Sequence, residues 1–354
     1  MKKKNSRRKE VIQKCVFIVD NENGSASYSP PPPQIIIPAN QNSTRANSRR
    51  NRVYVYRDFL LSTFSHLLAS SPSSPSLSSS VGDASAASIT VLDVAGGRGD
   101  LSWILRNVDG VNSIIADPRI PNHKSLIKST EFLLAHPDEA AVRAVEGLTT
   151  HQPLAKLLPR LMDNCDGNLS SPHHLRMHID NNLVETMIRV LSKTHSQEEE
   201  RMVIWNEFWQ QEKFRIESNK VVFGGTTASQ QTQKQNHTDD SLKKLGQITD
   251  SKHALDVLTS LDYIFGFHPD QATEAAIDLA LFLKLPFCVV PCCVFPSDFP
   301  NRQISGKWVK NHSQLIEYLC MKNEKIRKGI LPFVDETGTA KNTVLYMLKE
   351  DYDL

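Results

Sequence analysis

Apolar residues along the chain follow two kinds of pattern, short runs typical of strands and longer stretches with helical spacing. The strand-like runs lie at 91–94, 113–117, 174–180, 261–267, 287–295, 330–335 and 342–348. Helical spacing or helix-forming composition covers 101–107, 122–135, 181–191, 198–218, 273–283 and 313–321. This alternation predicts a mostly parallel sheet with helices on both faces. The last two strand-like runs, joined by a polar segment that contains glycine, predict a closing antiparallel hairpin.

Low-complexity segments surround these elements. Residues 1–52 are basic and rich in Pro, Ser and Asn, 70–88 are rich in Ser, and 226–250 are rich in Gln, Thr and Asn. Such composition buries too little apolar surface to hold a fixed structure. We therefore expect one α/β domain over 53–350, with a disordered tail before it and two low-complexity insertions within it. The domain begins with a helix over 53–69 that packs ahead of the first strand.

The charge of the chain is unevenly distributed. The formal net charge is +2, but residues 1–57 hold twelve Lys and Arg against three acids, which leaves 29 basic and 36 acidic residues in the rest. A mildly anionic body argues against a wide surface for duplex nucleic acid. The six cations within 2–9 are typical of a nuclear localisation signal or a nucleic-acid contact, and a merely solubilising terminus is the alternative.

The cysteines and the hydropathy of the chain indicate the cellular compartment in which we expect the protein. The six cysteines show no disulfide framework, and two of them, Cys292 and Cys293, are adjacent. No apolar run approaches the roughly 18 residues of a membrane span, and there is no secretory core near the first residues. We therefore expect a protein of the cytoplasm or the nucleus, with reduced thiols and no membrane partner.

A glycine-rich turn follows the first predicted strand. Within V-L-D-V-A-G-G-R-G-D, the residues Asp93, Ala95, Gly97 and Gly99 give the pattern D-x-A-x-G-x-G, and the second strand stops on Asp117. A glycine turn between strand and helix lets the backbone approach a cofactor and present N–H groups to it. An acid after the second strand can accept hydrogen bonds from both hydroxyls of a ribose. The pattern predicts a nucleoside-binding βαβ unit, and the alternatives are a different nucleotide ligand or no ligand.

The D-x-A-x-G-x-G turn resembles motif I of the class I S-adenosylmethionine-dependent methyltransferases, with Ala95 in place of the usual first glycine. The resemblance implies a Rossmann-like α/β fold whose mostly parallel, seven-stranded sheet ends in an antiparallel hairpin. It also implies S-adenosylmethionine as the cofactor, with its methionine part against the turn and its ribose on Asp117. The expected cofactor-binding residues are Asp93, Ala95, Gly96, Gly97, Gly99, Asp117, Asp180 and Gly266.

The fourth and fifth predicted strands carry a second, narrower resemblance. Their endings G-F-H-P-D and V-V-P-C-C are similar to those of a group that includes the acceptor-stem tRNA ribose methyltransferases. The residues shared with that group are Gly266, His268, Thr273, Cys292 and Cys293. Pro269 and Asp270 replace the Cys-Gly that usually follows the histidine. This resemblance implies RNA as the substrate, with tRNA as one kind of RNA that would fit.

Methyl transfer to a hydroxyl or an amine needs a group that takes the proton of the attacking atom. His268 and Asp270, just past the fourth predicted strand, are the expected catalytic residues. For His268 the alternative is a strand-end or helix-cap histidine without chemistry. Asp270 could instead cap the helix that starts near Gln271.

Pro291, Cys292 and Cys293 follow the apolar start of the fifth predicted strand and are expected on the substrate side of the site. RNA 5-methylcytosine enzymes use a Pro-Cys nucleophile, but theirs follows the fourth strand. A metal site is disfavoured because paired C-x-x-C spacing is lacking. We therefore expect buried thiols that line the cofactor side, with neither covalent catalysis nor a bound metal.

A basic patch follows the fifth predicted strand. It consists of Arg302, Lys307, Lys310, Lys322, Lys325, Arg327 and Lys328. Part of this patch, together with the tail over 1–57, could face an anionic substrate such as RNA, and a solvated helix face is the alternative. The motifs N-P-P-Y and D-P-P-Y, usual signs of methylation on an exocyclic base amine, are absent from the sequence.

The sequence therefore predicts an enzyme, an S-adenosylmethionine-dependent methyltransferase that acts on RNA. The alternative among enzymes is a methyltransferase for a protein or a small molecule. The alternative outside enzymes is a catalytically inactive interaction protein that still binds the cofactor.

Overall fold

The computed structural model describes residues 51–68, 89–146, 152–165, 169–194, 197–223, 246–333 and 341–352. Residues 1–50 of the basic tail, the Ser-rich segment over 70–88 and residues 226–245 of the second expected insertion lie outside these ranges. Within the described residues, no helix has both the length and the hydrophobicity that a membrane span requires.

Ten strands are found in the described part of the chain. They are β1 (Thr90–Val94), β2 (Asn112–Ala116), β3 (His173–Leu175), β4 (Gln247–Ile248), β5 (Tyr263–Phe267), β6 (Phe287–Val290), β7 (Gln303–Ile304), β8 (Lys307–Trp308), β9 (Arg327–Ile330) and β10 (Thr343–Met347). Eight of them form one sheet in the order β4-β3-β2-β1-β5-β6-β10-β9, and β7 pairs with β8 in a separate hairpin. Strands β1 to β6 run parallel, whereas β10 is antiparallel to both β6 and β9.

Ten helices cover the two faces of this sheet in the described residues. They are α1 (Arg52–Thr63), α2 (Asp100–Asp109), α3 (Lys124–Ala135), α4 (Pro137–Glu146), α5 (Gln152–Cys165), α6 (Asn181–Leu191), α7 (Glu198–Phe223), α8 (Ser251–Thr259), α9 (Thr273–Leu283) and α10 (His312–Cys320). Helices α1 to α5 bury one face and α6 to α10 bury the other. In β1, Leu92 and Val94 enter one core and Val91 enters the other, which is why a strand covered on both faces reads as a continuous apolar run.

The predicted α/β architecture, with helices on both faces and a closing antiparallel pair, is confirmed. It is compatible with a Rossmann-like fold. The sheet has eight strands and not seven, because Gln247 and Ile248 add a short edge strand next to β3. These two residues fall inside the insertion expected over 226–250, so the expected end of that insertion is wrong and a strand already starts at Gln247.

Several strands differ in extent from the predicted runs. The run at 174–180 pairs only up to Leu175, although Met177 and Ile179 are also buried, as the alternation required. Strand β6 ends at Val290 because the next residue is a proline, which has no N–H to give to the ladder. Strand β9 begins before the apolar run that was predicted for it.

Candidate cofactor and substrate site

The carboxyl ends of four neighbouring strands, β2, β1, β5 and β6, meet at one edge of the sheet. The glycine-rich turn follows β1, Asp117 follows β2, His268 follows β5, and Cys292 lies just past β6. Ligands of open parallel sheets bind outside the carboxyl ends of the strands. The structure therefore brings the predicted turn, acid, histidine and cysteines to one edge.

Two glycines of the turn are required by the packing beneath it. A Cβ on Gly99, whose φ is +76°, would lie 2.5 Å from Ile115 Cδ1 and 2.6 Å from His123 Cε1. A Cβ on Gly96 would lie 2.7 Å from Asp93 Oδ2. Glycine at these two positions lets the turn pack directly on the side chains of Asp93, Ile115 and His123, and this packing fixes the position of the turn.

Gly97 differs from Gly96 and Gly99, because the side of Gly97 on which a Cβ would stand has no close protein atom. We call this the outer side of the turn. Its φ is +58°, and a Cβ there would meet nothing closer than Arg119 Nη2 at 3.7 Å and Ala95 O at 3.9 Å. Ala95 also has a left-handed backbone, with φ +51°, a conformation that costs a non-glycine residue about 1–2 kcal/mol. Gly97 is thus a position in the turn where a ligand could come close to the backbone without a clash with another protein atom.

Three backbone N–H groups of the turn are bonded within the protein. Those of Ala95 and Gly99 donate to neighbouring backbone oxygens, each at 2.8 Å. That of Gly97 donates to Asp117 Oδ2 at 2.9 Å. The prediction that the turn presents its N–H groups to a ligand is therefore wrong for these three, and one of them holds the acid instead.

Asp117 is fully buried, and its carboxylate accepts four hydrogen bonds. Oδ1 accepts from the backbone N–H of Arg119 at 2.8 Å and from its Nε at 3.0 Å. Oδ2 accepts from Gly97 and, at 3.0 Å, from Arg119 Nη2. The bonds to Asp117 are the largest influence on the pKa of Arg119 and raise it, and the charge of Asp270 adds to that rise.

The backbone at Asp117 is fixed from the side of β3. His174 Nε2 lies 2.8 Å from the backbone oxygen of Asp117, and Arg176 Nε donates to the next carbonyl oxygen at 3.0 Å. His178 bonds through Nδ1 to Glu212 at 2.6 Å. The two histidines therefore hold separate parts of the fold.

Asp93 lies beneath the turn and is buried. Its Oδ2 accepts a hydrogen bond of 2.8 Å from Ser102, whose hydroxyl in turn accepts one of 2.9 Å from Ser113. Its Oδ1 has no hydrogen-bond partner within the described residues. Burial raises the pKa of Asp93 to about 7, although hydrogen bonds from Ser102 oppose that rise. Asp93 therefore supports the turn from below.

The end of β5 holds two non-glycine residues in left-handed conformations, His268 with φ +57° and Asp270 with φ +49°. The His268 ring packs against Phe267 and Phe333, with centroid distances of 4.4 and 6.5 Å. Its Nε2 is buried and has no hydrogen-bond partner among the described residues. Burial, helped by the positive charge of Arg52, lowers the pKa of His268 to about 4, so the imidazole is neutral near pH 7.

Asp270 contacts Cys292 and does not cap the following helix. The Cys292 thiol donates to its Oδ1 at 2.9 Å, whereas Thr273 at the start of α9 bonds only to its backbone oxygen, at 2.8 Å. Burial and the Asp270 carboxylate raise the pKa of Cys292, so this thiol is protonated.

The two adjacent thiols differ in exposure. Cys292 is half-buried and Cys293 is exposed, so the expectation of buried thiols is wrong for Cys293. The ligating atoms of Asp270, Cys292 and Cys293 lie within 4.8 Å of one another, and no other group of this kind is found in the described part of the chain. Such a donor set has the chemistry to hold a thiophilic cation.

Two predicted cofactor residues are accounted for by other contacts. A Cβ on Gly266 would lie 3.1 Å from Pro269 Cγ, so this glycine makes room for the proline that turns the chain. Asp180 caps α6 by accepting from the Leu183 N–H at 3.2 Å, and it pairs with Arg215 at 2.6 Å. Neither contact involves the glycine turn or Asp117.

Much of the predicted basic patch is engaged in ion pairs and cannot bind an anion freely. Arg302 is buried and pairs with Glu274 at 2.6 Å, and Lys322 pairs with the same carboxylate at 2.9 Å. Arg327 pairs with Asp351 at 2.5 Å. These pairs connect α9 to Arg302 and to the segment after α10, and they connect β9 to the segment after β10, so the charges stabilise the packing of these elements.

The hairpin of β7 and β8 keeps part of the patch available. Trp308 is 61% exposed, Lys307 and Lys310 are exposed beside it, and Lys310 Nζ lies 5.8 Å from the centre of its ring. An exposed aromatic ring next to two cations is a surface suited to a nucleic-acid base and its phosphates.

Arg119 and Arg52 were missed in the sequence, and each acts on a predicted residue. Arg119 stands two positions after Asp117, and the D-P-R spacing was a signal that a cation follows the acid. Arg52 begins α1, far from His268 in sequence, so nothing in the local pattern pointed to its effect on that histidine.

The site therefore combines a buried acid bonded to a glycine turn, a neutral histidine whose Nε2 has no partner in the described part of the chain, and a thiol–carboxylate pair. Comparisons with known proteins find no matching family model, no matching curated protein and no matching solved structure.

Proposed function

We propose that this chain is an S-adenosylmethionine-dependent methyltransferase and that its substrate is RNA. The observation that carries the proposal is the bond between the Gly97 N–H and Asp117. It joins a glycine-rich turn after one strand to a buried acid after the next strand. A carboxylate in that position is suited to the two hydroxyls of a ribose.

The order of the strands supports a methyltransferase over a dinucleotide enzyme. The family resemblance implied a sheet that ends in an antiparallel hairpin, whereas a dinucleotide enzyme repeats its mononucleotide unit. In the described sheet, β10 runs antiparallel between β6 and β9. This arrangement agrees with the expectation from the resemblance.

An adenosyl cofactor would be held by residues at the carboxyl edge. Asp117 would hold the ribose, and the outer side of Ala95 and Gly97 would lie against the methionine part, where a Cβ on Gly97 meets no atom closer than 3.7 Å. When bound, S-adenosylmethionine supplies a methyl group on a positively charged sulfur. The chain's part is to orient that methyl group and to manage the proton of the acceptor.

His268 is the described residue best suited to accept that proton. In the tautomer that carries its hydrogen on Nδ1, the buried and unpartnered Nε2 would take a proton from an attacking hydroxyl or amine that reaches it. Among the charges that act on the pKa of His268, Asp270 raises it, so this carboxylate favours the imidazolium that would form. Since Asp270 is also bonded to the Cys292 thiol, we assign it a positioning role.

RNA is the substrate class that the charge distribution favours. Ten of the twelve cations over 1–57 lie before residue 51, outside the described residues. The other two, Arg52 and Arg57, belong to α1, and Arg57 is buried against Asp109 at 2.7 Å, so it is not available to RNA. In the described body, Trp308 with Lys307 and Lys310 offers the surface for a base and its phosphates. A protein or a small molecule is the alternative acceptor.

A catalytically inactive cofactor-binding protein is the second candidate, and one observation favours it. His268, the described residue best placed to take the acceptor's proton, is half-buried and has its pKa lowered to about 4, which makes it a weak base near pH 7.

Two measurements on the full chain test the proposal. Calorimetry should detect binding of S-adenosylmethionine, and incubation with cellular RNA and methyl-tritiated cofactor should place label in material that ribonuclease degrades. Label in protease-sensitive or small-molecule fractions would move the substrate to the alternative class. Binding without any transfer would favour the inactive protein, and a lack of binding would overturn the proposal.

A further inference from the structure

The hydrogen bonds on Asp117 leave no place for a ribose. A carboxylate offers about four lone-pair sites to donors. Here two are taken by backbone N–H groups, of Gly97 and Arg119, and two by the Arg119 guanidinium. Because Asp117 is fully buried, no further side of the carboxylate is open to solvent.

Only the two bonds from the Arg119 side chain can be given up at small cost. The backbone donors are fixed, since the Gly97 turn packs on buried residues and the Asp117 backbone is held by His174. The Arg119 side chain is 70% exposed, so its guanidinium can leave into water. Asp117 itself is buried, so its carboxylate needs donors in place of the guanidinium, and the ribose hydroxyls would supply them.

We propose that Arg119 is a displaceable occupant of the ribose position and thereby sets the affinity for the cofactor. In the cofactor-free protein its guanidinium holds the two acceptor positions that ribose hydroxyls would use. On binding, the hydroxyls replace Nε and Nη2 on Asp117, and the guanidinium moves toward Asp270. This inference rests on the proposed function, because it takes the bound group to be an adenosyl ribose.

Asp270 is the carboxylate that can receive the displaced cation. It belongs to the substrate side of the site, where it bonds to Cys292 at 2.9 Å, and its charge already acts on Arg119. Cofactor binding would therefore carry a positive charge from the ribose position to the substrate side. An anionic substrate such as RNA then meets a more positive edge in the loaded protein than in the free one.

Substitution of Arg119 tests the proposal with S-adenosylhomocysteine as the probe. Calorimetry on Arg119→Ala and Arg119→Gln should show binding tightened by about three- to tenfold, because the ribose hydroxyls no longer have to displace a guanidinium from Asp117. Arg189→Ala is the matched control, because Arg189 is an exposed arginine in the last turn of α6, outside the glycine turn and away from Asp117. It removes the same charge and should leave the affinity unchanged.

A double-mutant cycle tests the destination of the guanidinium. Asp270→Asn should weaken binding of the probe by about threefold when Arg119 is present and should have no effect in the Arg119→Ala background. In addition, the side-chain Nε–H signal of Arg119 in nitrogen-15 NMR should be protected from exchange without the probe and lose that protection on its addition.

The outcomes separate the two proposals. If the wild type binds the probe and the Arg119 variants bind equally or more weakly, Arg119 is no occupant of the ribose position and instead helps to hold the cofactor. An unchanged NMR signal in the saturated wild type would also overturn the displacement. If neither the wild type nor any variant binds the probe, the proposed function fails and the role of Arg119 fails with it.

Discussion

The N–H of Gly97 and the carboxylate of Asp117 are joined by a hydrogen bond of 2.9 Å, which connects the turn after β1 to the end of β2. Asp117 therefore has a structural role in the free protein and a proposed binding role in the loaded one. The two roles predict different measurements, since the first affects unfolding without the cofactor and the second affects affinity.

Asp117→Ala should weaken binding of S-adenosylmethionine about tenfold or more. Two ribose hydroxyls would lose a charged acceptor, a loss of about 1.5–3 kcal/mol. Calorimetry on protein whose folding is verified by circular dichroism measures the change. Asp262→Asn is the control, because Asp262 also accepts a backbone N–H beside β1, that of Thr90 at 2.8 Å, but away from the carboxyl edge. Unchanged affinity in Asp117→Ala would remove the ribose assignment.

Gly97→Ala and Gly99→Ala form a matched pair that separates packing from binding. Both positions have positive φ, but only at Gly99 would the new Cβ lie within 2.6 Å of side chains beneath the turn. We expect Gly99→Ala to lose more than about 4 kcal/mol of unfolding free energy and Gly97→Ala only about 1–2 kcal/mol.

Gly97→Ala should nevertheless bind S-adenosylmethionine at least about tenfold more weakly, since its Cβ would enter the outer side of the turn. Urea unfolding and calorimetry give the two numbers for each variant. If Gly97→Ala binds the cofactor as the wild type does, the turn is not a wall of the cofactor site.

The stability of the protein should depend on pH through Asp93. Burial places its folded pKa at about 7, above the ordinary value of 3.8, so the folded state holds this proton more tightly than the unfolded state. Stability linked to Asp93 is therefore full below about pH 4 and is lost as the pH rises to about 7. Relative to Asp93→Asn, the wild type should lose on the order of 2 kcal/mol between about pH 5 and pH 7.

Urea unfolding of the wild type and of Asp93→Asn at these two pH values measures that loss. Asparagine keeps an oxygen that can accept from Ser102, so the variant retains the bond that the structure shows. A difference between the two proteins that does not change with pH would mean that Asp93 is already ionised when buried.

Cys292 should be a poor nucleophile because it is a protonated donor to Asp270. With iodoacetamide near pH 8, peptide mass spectrometry should find Cys293 alkylated at least about tenfold faster than Cys292. Asp270→Asn should speed the reaction of Cys292, since the carboxylate raises the pKa of its thiol.

The same protonation argues against covalent catalysis. Cys292→Ser and Cys293→Ser should each retain measurable methyl transfer, and neither should accumulate a covalent RNA adduct. An adduct in either variant, visible as a shifted band on a denaturing gel, would restore the 5-methylcytosine mechanism that the strand position disfavours.

Neutralising the basic tail should weaken RNA binding and flatten its dependence on salt. The change is made in the full chain by substituting glutamine for Lys2, Lys3, Lys4, Arg7, Arg8 and Lys9. Each lost phosphate contact should lower the slope of log K against log salt by about one. Filter binding at several salt concentrations measures the slope, and the affinity for S-adenosylmethionine should stay the same.

A matched substitution in the body is Trp308→Ala with Lys307→Gln, which removes the exposed ring and one cation next to it. If the tail variant binds RNA with the slope of the wild type and this variant does not, the hairpin and not the tail is the contact. If the wild type has no affinity for RNA at low salt, the acceptor is a protein or a small molecule.

The elements that sequence predicted best are those whose apolar pattern is long and uninterrupted. The helix over 273–283 has the predicted bounds because an acid and a row of apolar residues start it and Lys284, in a left-handed conformation, ends it. The edge strand β4 was missed because two residues are too few to show the alternation of apolar and polar residues that predicts a strand. Helix α5 was missed because Pro159 stands within it, and proline usually marks a break.

The site was predictable where local sequence sets the geometry and not where distant residues do. Asp117 and the glycines lie on consecutive elements, so their proximity followed from the βαβ pattern. Whether Arg302 is available to an anion depends on Glu274, which lies 28 positions earlier in the sequence and contacts Arg302 only in the folded chain. Sequence shows a cation but not its partner, so the basic patch was overestimated.

The Tyr56 hydroxyl donates to the backbone oxygen of Cys288 at 2.7 Å, across 232 positions of sequence. The ribosome adds about 5–20 residues per second, so helix α1 is synthesised many seconds before β6, the strand to which Tyr56 bonds. Until then the apolar side chains of α1, among them Phe59 and Leu60, have no part of β6 to cover them. Helix α1 is the first described helix, yet its packing is completed only after β6 has been synthesised. A nascent chain that stops before β6 therefore exposes an apolar surface that is prone to aggregation.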